Sequence, residues 1–138
     1  MNHYNNTINR YVTKKNFIKS YGSWILALRP NQLTYCSVML FADSNAESFS
    51  KLDKNSLNDL GNILADIELK IRFVSQPIKF NVYSLMLVDP HVHFHIFPRF
   101  EDQHLDTYWP LPVDLNGKVK VSETVMASRL EKLKETFL

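Results

Sequence analysis

The chain has 138 residues, 45% of them hydrophobic and 22% charged, and a formal net charge of +2. That length suits one domain with its own hydrophobic core, and the balance of apolar and charged residues excludes a fully disordered chain. So small a net charge gives no expectation of nucleic acid as a partner.

The charge is nevertheless uneven. Arg10, Lys14, Lys15, Lys19 and Arg29 all precede the first acidic residue, Asp43, and the remainder of the chain nets −3. A basic arm of this kind steers anionic ligands, touches a membrane surface, or is simply solvated and partly ordered. Cys36 is the single cysteine, so no intramolecular disulfide is possible, and its apolar neighbours mark it as a small core residue in a reducing compartment. The first twenty or so residues are mostly polar and lack the apolar stretch of a secretory signal. No apolar run approaches the ~18 residues of a membrane span. The expectation is a cytoplasmic protein with no membrane partner.

In chain order, residues 1–21 read as a basic N-terminal extension. Trp24 to Leu28 reads as a buried strand closed by Arg29-Pro30, and Cys36 to Phe41 as a second, with turn chemistry at Pro30-Asn31-Gln32 between them. Leu57, Leu60, Leu64, Ile67 and Ile71 recur at helical spacing and predict a long helix. Asp53 or Asn55 can cap its start, and Pro77 prevents continuation beyond about Gln76. Gly61 within it costs about 1 kcal/mol relative to alanine, which the apolar face can absorb. Ile78 to Val88 reads as extended chain, followed by Asp89-Pro90 and a histidine-rich strand. A last helix carries the stripe Met126, Leu130, Leu133 and Phe137, with Ser122 as its cap. The predicted organisation is an extension over 1–21, a core over 22–112, and a linker with a terminal helix over 113–138. The fold class is α+β, an antiparallel sheet packed on helices.

Four of the five histidines lie between residues 91 and 104, and three alternate in His91-Val92-His93-Phe94-His95. On a strand, His91, His93 and His95 share a face while Val92, Phe94 and Ile96 point into the core. Two of the imidazoles could ligate a metal ion with Asp89 or His104. All three cannot easily converge on one ion, because His91 and His95 stand ~13 Å apart along a strand. The oxygens of a polyphosphate are spread along a chain and fit that spacing better. Phosphoryl chemistry needs a nucleophile, donors for the developing charge and a proton for the leaving group, roles histidine can fill near neutral pH. The middle residue, flanked by two donors, is the natural nucleophile.

The run His91-Val92-His93-Phe94-His95-Ile96-Phe97 resembles the signature of the histidine-triad family, His-Φ-His-Φ-His-Φ-Φ with Φ apolar, at all seven positions. Pro98-Arg99 follows directly, which is similar to the dinucleoside polyphosphate hydrolase branch rather than the phosphoramidase branch. Trp24-Ile-Leu-Ala-Leu-Arg-Pro30 looks like the family's first core strand, and Phe49 to Leu60 like its approach to the long helix. The resemblance spans about residues 22–112 and is closest over 78–100.

What the resemblance implies is a histidine-triad fold and a two-step hydrolysis of a nucleotide. His93 attacks the α-phosphate, a nucleotidyl-imidazole forms, and water or another acceptor releases the monophosphate. A backbone carbonyl orients the nucleophile's second nitrogen, while His91 and His95 contact phosphate oxygens or the leaving group. A transferase branch carries Gln at the third histidine position, so His95 favours hydrolysis. By the same resemblance Asn81 lies near the ribose and phosphate, Arg99 belongs to the substrate-binding set, no metal or other cofactor is needed, and the chain pairs as a homodimer.

Two departures stand out. Where related hydrolases have a Gly-Gln-Ser/Thr type loop, this chain has Met86-Leu87-Val88-Asp89-Pro90. Asp89-Pro90 makes a poor two-residue hairpin, so a longer apolar connection from about Ser84 is expected, with Ser84 or Asp89 assisting the leaving group. Ser37 stands where the family has an early histidine. A non-catalytic nucleotide-binding or regulatory protein, and metal-dependent chemistry on the His-x-His strand, are the alternatives. Trp109-Pro110-Leu111-Pro112 either walls the nucleotide site or pins the chain to the sheet, and His104 reads as a solvated loop residue.

Overall fold

The computed structural model describes residues 3–101 and 121–138. His104, the Trp109–Pro112 segment and the expected linker up to residue 120 lie outside the described residues.

Five strands form one antiparallel sheet: β1 (Phe17–Ser20), β2 (Trp24–Leu28), β3 (Val38–Ala42), β4 (Lys79–Tyr83) and β5 (His93–Arg99). Their order is β1-β2-β3-β5-β4, so β5 lies between β3 and β4 and its side chains have neighbours on both flanks. Three helices, α1 (His3–Tyr11), α2 (Lys54–Ser75) and α3 (Glu123–Thr136), accompany the sheet. The architecture is the α+β arrangement expected, an antiparallel sheet packed on helices.

Alternation along the strands makes two faces. Trp24, Leu26 and Leu28 of β2, Val38, Leu40 and Ala42 of β3, and Val92 and Ile96 around β5 enter the core beneath the helices. The opposite face carries Met39 and Phe41 of β3, directly across from His95 and His93. Both faces of β3 are therefore buried, which is why its sequence is a continuous apolar run rather than an alternating one.

The long helix starts and stops where local chemistry dictates. The Asp53 side chain accepts from the Ser56 backbone N–H at 2.7 Å, and Gln76 closes the helix in the left-handed conformation just before Pro77. A cap of this kind contributes about 1 kcal/mol. Its buried line is Ile63, Ile67 and Ile71, with Leu60 and Leu64 partly buried beside them. The stripe is thus rotated from the expected one: Ile63 joins it, and in the first turn Ser56 is buried against the sheet while Leu57 beside it is exposed. In α3, Ser122 caps through Val125, and Leu130, Leu133 and Phe137 are buried.

Two stretches depart from the sequence reading. The stretch read as an extension contributes α1 and the edge strand β1, whose register against β2 slips between Phe17 and Lys19. The second core strand begins at Val38 rather than Cys36, because Cys36 takes φ +66° and Ser37 closes a turn onto Thr34. Cys36 itself is buried in the core, and burial pushes its thiol up to about 11. No helix among the described residues is long and apolar enough to cross a membrane.

Candidate active site

On the face of the sheet that bears His93 and His95 lies a cavity of about 310 Å³. Met39, Phe41, Tyr83 and Phe97 form its sheet floor, Leu85 to Asp89 one wall, and Tyr11 of α1 and Arg29 complete it. The connection from β4 to β5 runs over residues 84–92, the longer apolar link expected in place of a hairpin at Asp89-Pro90.

Each histidine is held differently. The His93 Nδ1–H donates to the His91 carbonyl at 2.6 Å. The remaining nitrogen, Nε2, therefore carries the lone pair in the neutral ring. The ring stacks on Phe41 at 5.6 Å and meets the His95 ring edge-on at 5.0 Å. His95 accepts from the Arg29 Nε–H at its Nδ1, 3.3 Å away, so its own proton sits on Nε2. Burial first, then the Arg29 and His93 charges, lowers the His95 pKa to about 4, and the ring is neutral at pH 7.

His91 lies just before β5 and behaves otherwise. Its Nε2–H donates to the Ala42 carbonyl at 2.7 Å, its backbone N–H donates to the Asp89 carboxylate at 3.0 Å, and its ring does not line the cavity. It holds the backbone carbonyl that orients His93. Alternation alone places three imidazoles on one face, but paired residues of β5 begin at His93; the Val92 backbone bonds Ala42 and Ala46, and the His91 ring turns to the Ala42 carbonyl.

The other expected residues separate into two groups. Asp89 lines the cavity and also accepts from Thr7 of α1 at 3.4 Å. Ser84 spends its hydroxyl on the His93 carbonyl at 2.7 Å, fixing the strand from the other side. Asn81 and Arg99 are joined at 2.6 Å across β4 and β5, beyond the cavity lining. Ser37, at the position of the family's early histidine, is fully buried in its turn with Thr34. Among the described residues no three His, Cys, Asp or Glu side chains are grouped so as to hold a metal ion.

Arg29 is a cavity residue in contact with His95 that sequence reasoning did not single out. Pairing carries it past the end of β2, where its N–H bonds the Ser37 carbonyl, onto the histidine face. It lies 66 residues from His95 in sequence, and only the strand order brings them together.

The architecture has clear counterparts among solved structures. A histidine triad protein from Bradyrhizobium japonicum superimposes with a TM-score of 0.73 at 17% identity, over 91% of this chain and 93% of that one. The chain has the histidine-triad fold. A histidine triad protein from Marinobacter aquaeolei gives 0.73 at 20% identity, over 95% and 92% of the two chains. A Plasmodium falciparum diadenosine triphosphate hydrolase gives 0.70 at 13% identity, over 90% and 77%. No protein-family model and no curated protein sequence matches the chain. At these identities the histidine-triad likeness is one of backbone, and the chemistry has to be read from the residues of the site.

Proposed function

We propose that the protein is a nucleotide hydrolase of the cytoplasm that cleaves at the α-phosphate of a nucleoside or dinucleoside polyphosphate. The observation that carries this is the His93 ring: Nδ1–H is engaged by a carbonyl, which leaves an Nε2 lone pair beside a neutral His95 donor in a cavity. In the first step the bond from Nε2 to phosphorus forms and the bond to the leaving oxygen breaks. The His95 Nε2–H stabilises the charge that collects on that oxygen. In the second step water attacks phosphorus, the bond to Nε2 breaks, and a nucleoside monophosphate leaves. His91 acts through its carbonyl, and Ser84 through its bond to the strand. Asp89 is the polar residue that the connecting loop contributes to the cavity lining among the described residues.

The dinucleoside polyphosphate branch is supported by Pro98-Arg99 after the motif and by the polyphosphate hydrolase among the structural counterparts. The experiment is incubation of purified protein with labelled ATP and with a dinucleoside polyphosphate, with and without EDTA. Chromatography should show a nucleoside monophosphate in both arms. Loss of product on chelation would favour metal-dependent chemistry. Saturable nucleotide binding with no product would favour a regulatory protein, a reading that the apolar wall Leu85–Val88 supports.

A second copy of the chain is the proposed partner. β4 is an edge strand with Val82 exposed, and Ile78 just before it is exposed too; an apolar edge of this kind invites pairing with its own copy. Light scattering should give a particle of twice 16.1 kDa, and Val82→Lys should shift it toward the monomer. A wild-type mass of a single chain at micromolar concentration overturns the pairing.

A further inference from the structure

Arg29 is a buried cation that forms no ion pair among the described residues. Its side chain is 93% enclosed, leaving 7% of its surface exposed. The ion pairs among the described residues are Lys15–Glu123 and Lys70–Asp66, neither of which involves it. Its Nε–H goes to His95 and one Nη1–H to the Asn31 carbonyl at 3.0 Å, while the guanidinium stacks over Phe97 at 5.2 Å. A guanidinium has five N–H groups in a fixed fork, so donors remain for a third partner, and Arg29 lines the same cavity as His93 and His95. An uncompensated buried charge is costly unless something of opposite sign binds to it.

We propose that Arg29 is a phosphate-binding residue that also positions His95: it holds the ring with its proton on Nε2 and offers its remaining N–H groups to an oxygen of the substrate's phosphate. This deepens the hydrolase reading and rests on it for the identity of the anion. One side chain thus performs two tasks. It supplies a permanent positive charge that a neutral His95 cannot, and it turns the His95 donor toward the reacting group. Lysine in its place would keep the charge but could not donate from a planar fork to His95, Asn31 and a phosphate together.

The groups facing His95 are Arg29 from the end of β2, His93 on its own strand, Tyr83 across on β4, Asp89 in the connecting loop and Tyr11 of α1. Burial is the larger cause of its lowered pKa and Arg29 the second. Removing the guanidinium should therefore raise the midpoint from about 4 while leaving it below the ordinary histidine value of about 6.5.

The experiment follows the ring nitrogens of His95 by long-range ¹H–¹⁵N correlation in the full-length wild type, R29K and R29Q, during titration with inorganic phosphate. None of it requires turnover, so it stands or falls separately from the hydrolysis. Wild-type His95 should show the Nε2–H tautomer, and phosphate should shift its resonances. R29Q should bind phosphate about 10- to 100-fold more weakly, the loss expected for a charge-assisted hydrogen bond, with a raised His95 midpoint. R29K should retain part of the affinity but lose the tautomer preference. An Nδ1–H tautomer in the wild type, or folded variants with unchanged phosphate affinity, overturns the proposal. Should R29Q fail to fold, the wild-type tautomer and R29K decide it.

Discussion

Replacing His93 by alanine should abolish turnover and leave no covalent intermediate. The expectation follows from how the three imidazoles are held. Only the His93 ring has one nitrogen tied to backbone and the other free within the cavity. The His91 ring is committed to the Ala42 carbonyl, and the His95 Nδ1 accepts from Arg29. Loss of the nucleophile removes the covalent route, whereas loss of one charge-stabilising donor typically costs ~10²–10³ in rate. His95→Ala should therefore be slow but measurable. His91→Ala should also retain measurable turnover, because the carbonyl that orients His93 survives the substitution. Rapid quench with an α-³²P-labelled nucleotide, followed by peptide mapping, should place an acid-labile label on the peptide containing His93. Turnover in His93→Ala comparable to that of the flanking variants, or a label elsewhere, would falsify the assignment.

Trp24→Ala should produce the largest loss of stability among single core substitutions of the sheet. Trp24 is fully buried at the start of β2, pairs with Ala42 in register, and packs its ring against Phe94 at 5.8 Å. Its Nε1–H donates to the Ser56 carbonyl at 2.9 Å, which ties the sheet to the first turn of α2. Removing the indole opens a cavity on one side of β5 and takes the side-chain donor from that carbonyl. Large aromatic truncations of this type cost about 3–5 kcal/mol. Trp24→Phe keeps most of the packing and loses the hydrogen bond, a difference of about 1 kcal/mol before any repacking. Urea denaturation measures both. A loss below ~1 kcal/mol in Trp24→Ala would show that the site collapses around the missing ring and that the cavity cost assumed here is too large.

Much of this was legible in the sequence where the determinants are local. The β2 run, the α2 stripe with Asp53 and Pro77 at its ends, and the Ser122 cap of α3 all announce themselves within a few residues. The His93 and His95 alternation does too, since period two is a property of the strand itself. β1 was hidden because Phe17–Ser20 is short and carries Lys19 within it, so it pairs only because β2 offers an edge. Arg29 looked like one of several early basic residues, and the contact that sets it apart depends on β2, β3 and β5 being neighbours. The diversion of His91 could not be read either, since it needs the Ala42 carbonyl from β3.

Helix α1 gives the cavity a wall from the beginning of the chain: Tyr11 stacks on Phe41 at 5.9 Å, and Thr7 reaches Asp89 across 82 residues of sequence. A helix of nine residues is marginal by itself in water, where fewer than ~12–15 residues seldom hold the form. Both of its docking partners lie further along the chain, the more distant of them beside the histidines. The helix therefore takes its fixed place only from contacts with β3 and with the loop that precedes β5. Order in this wall is thus borrowed from the sheet it covers, and the cavity is closed on that side only once its floor exists.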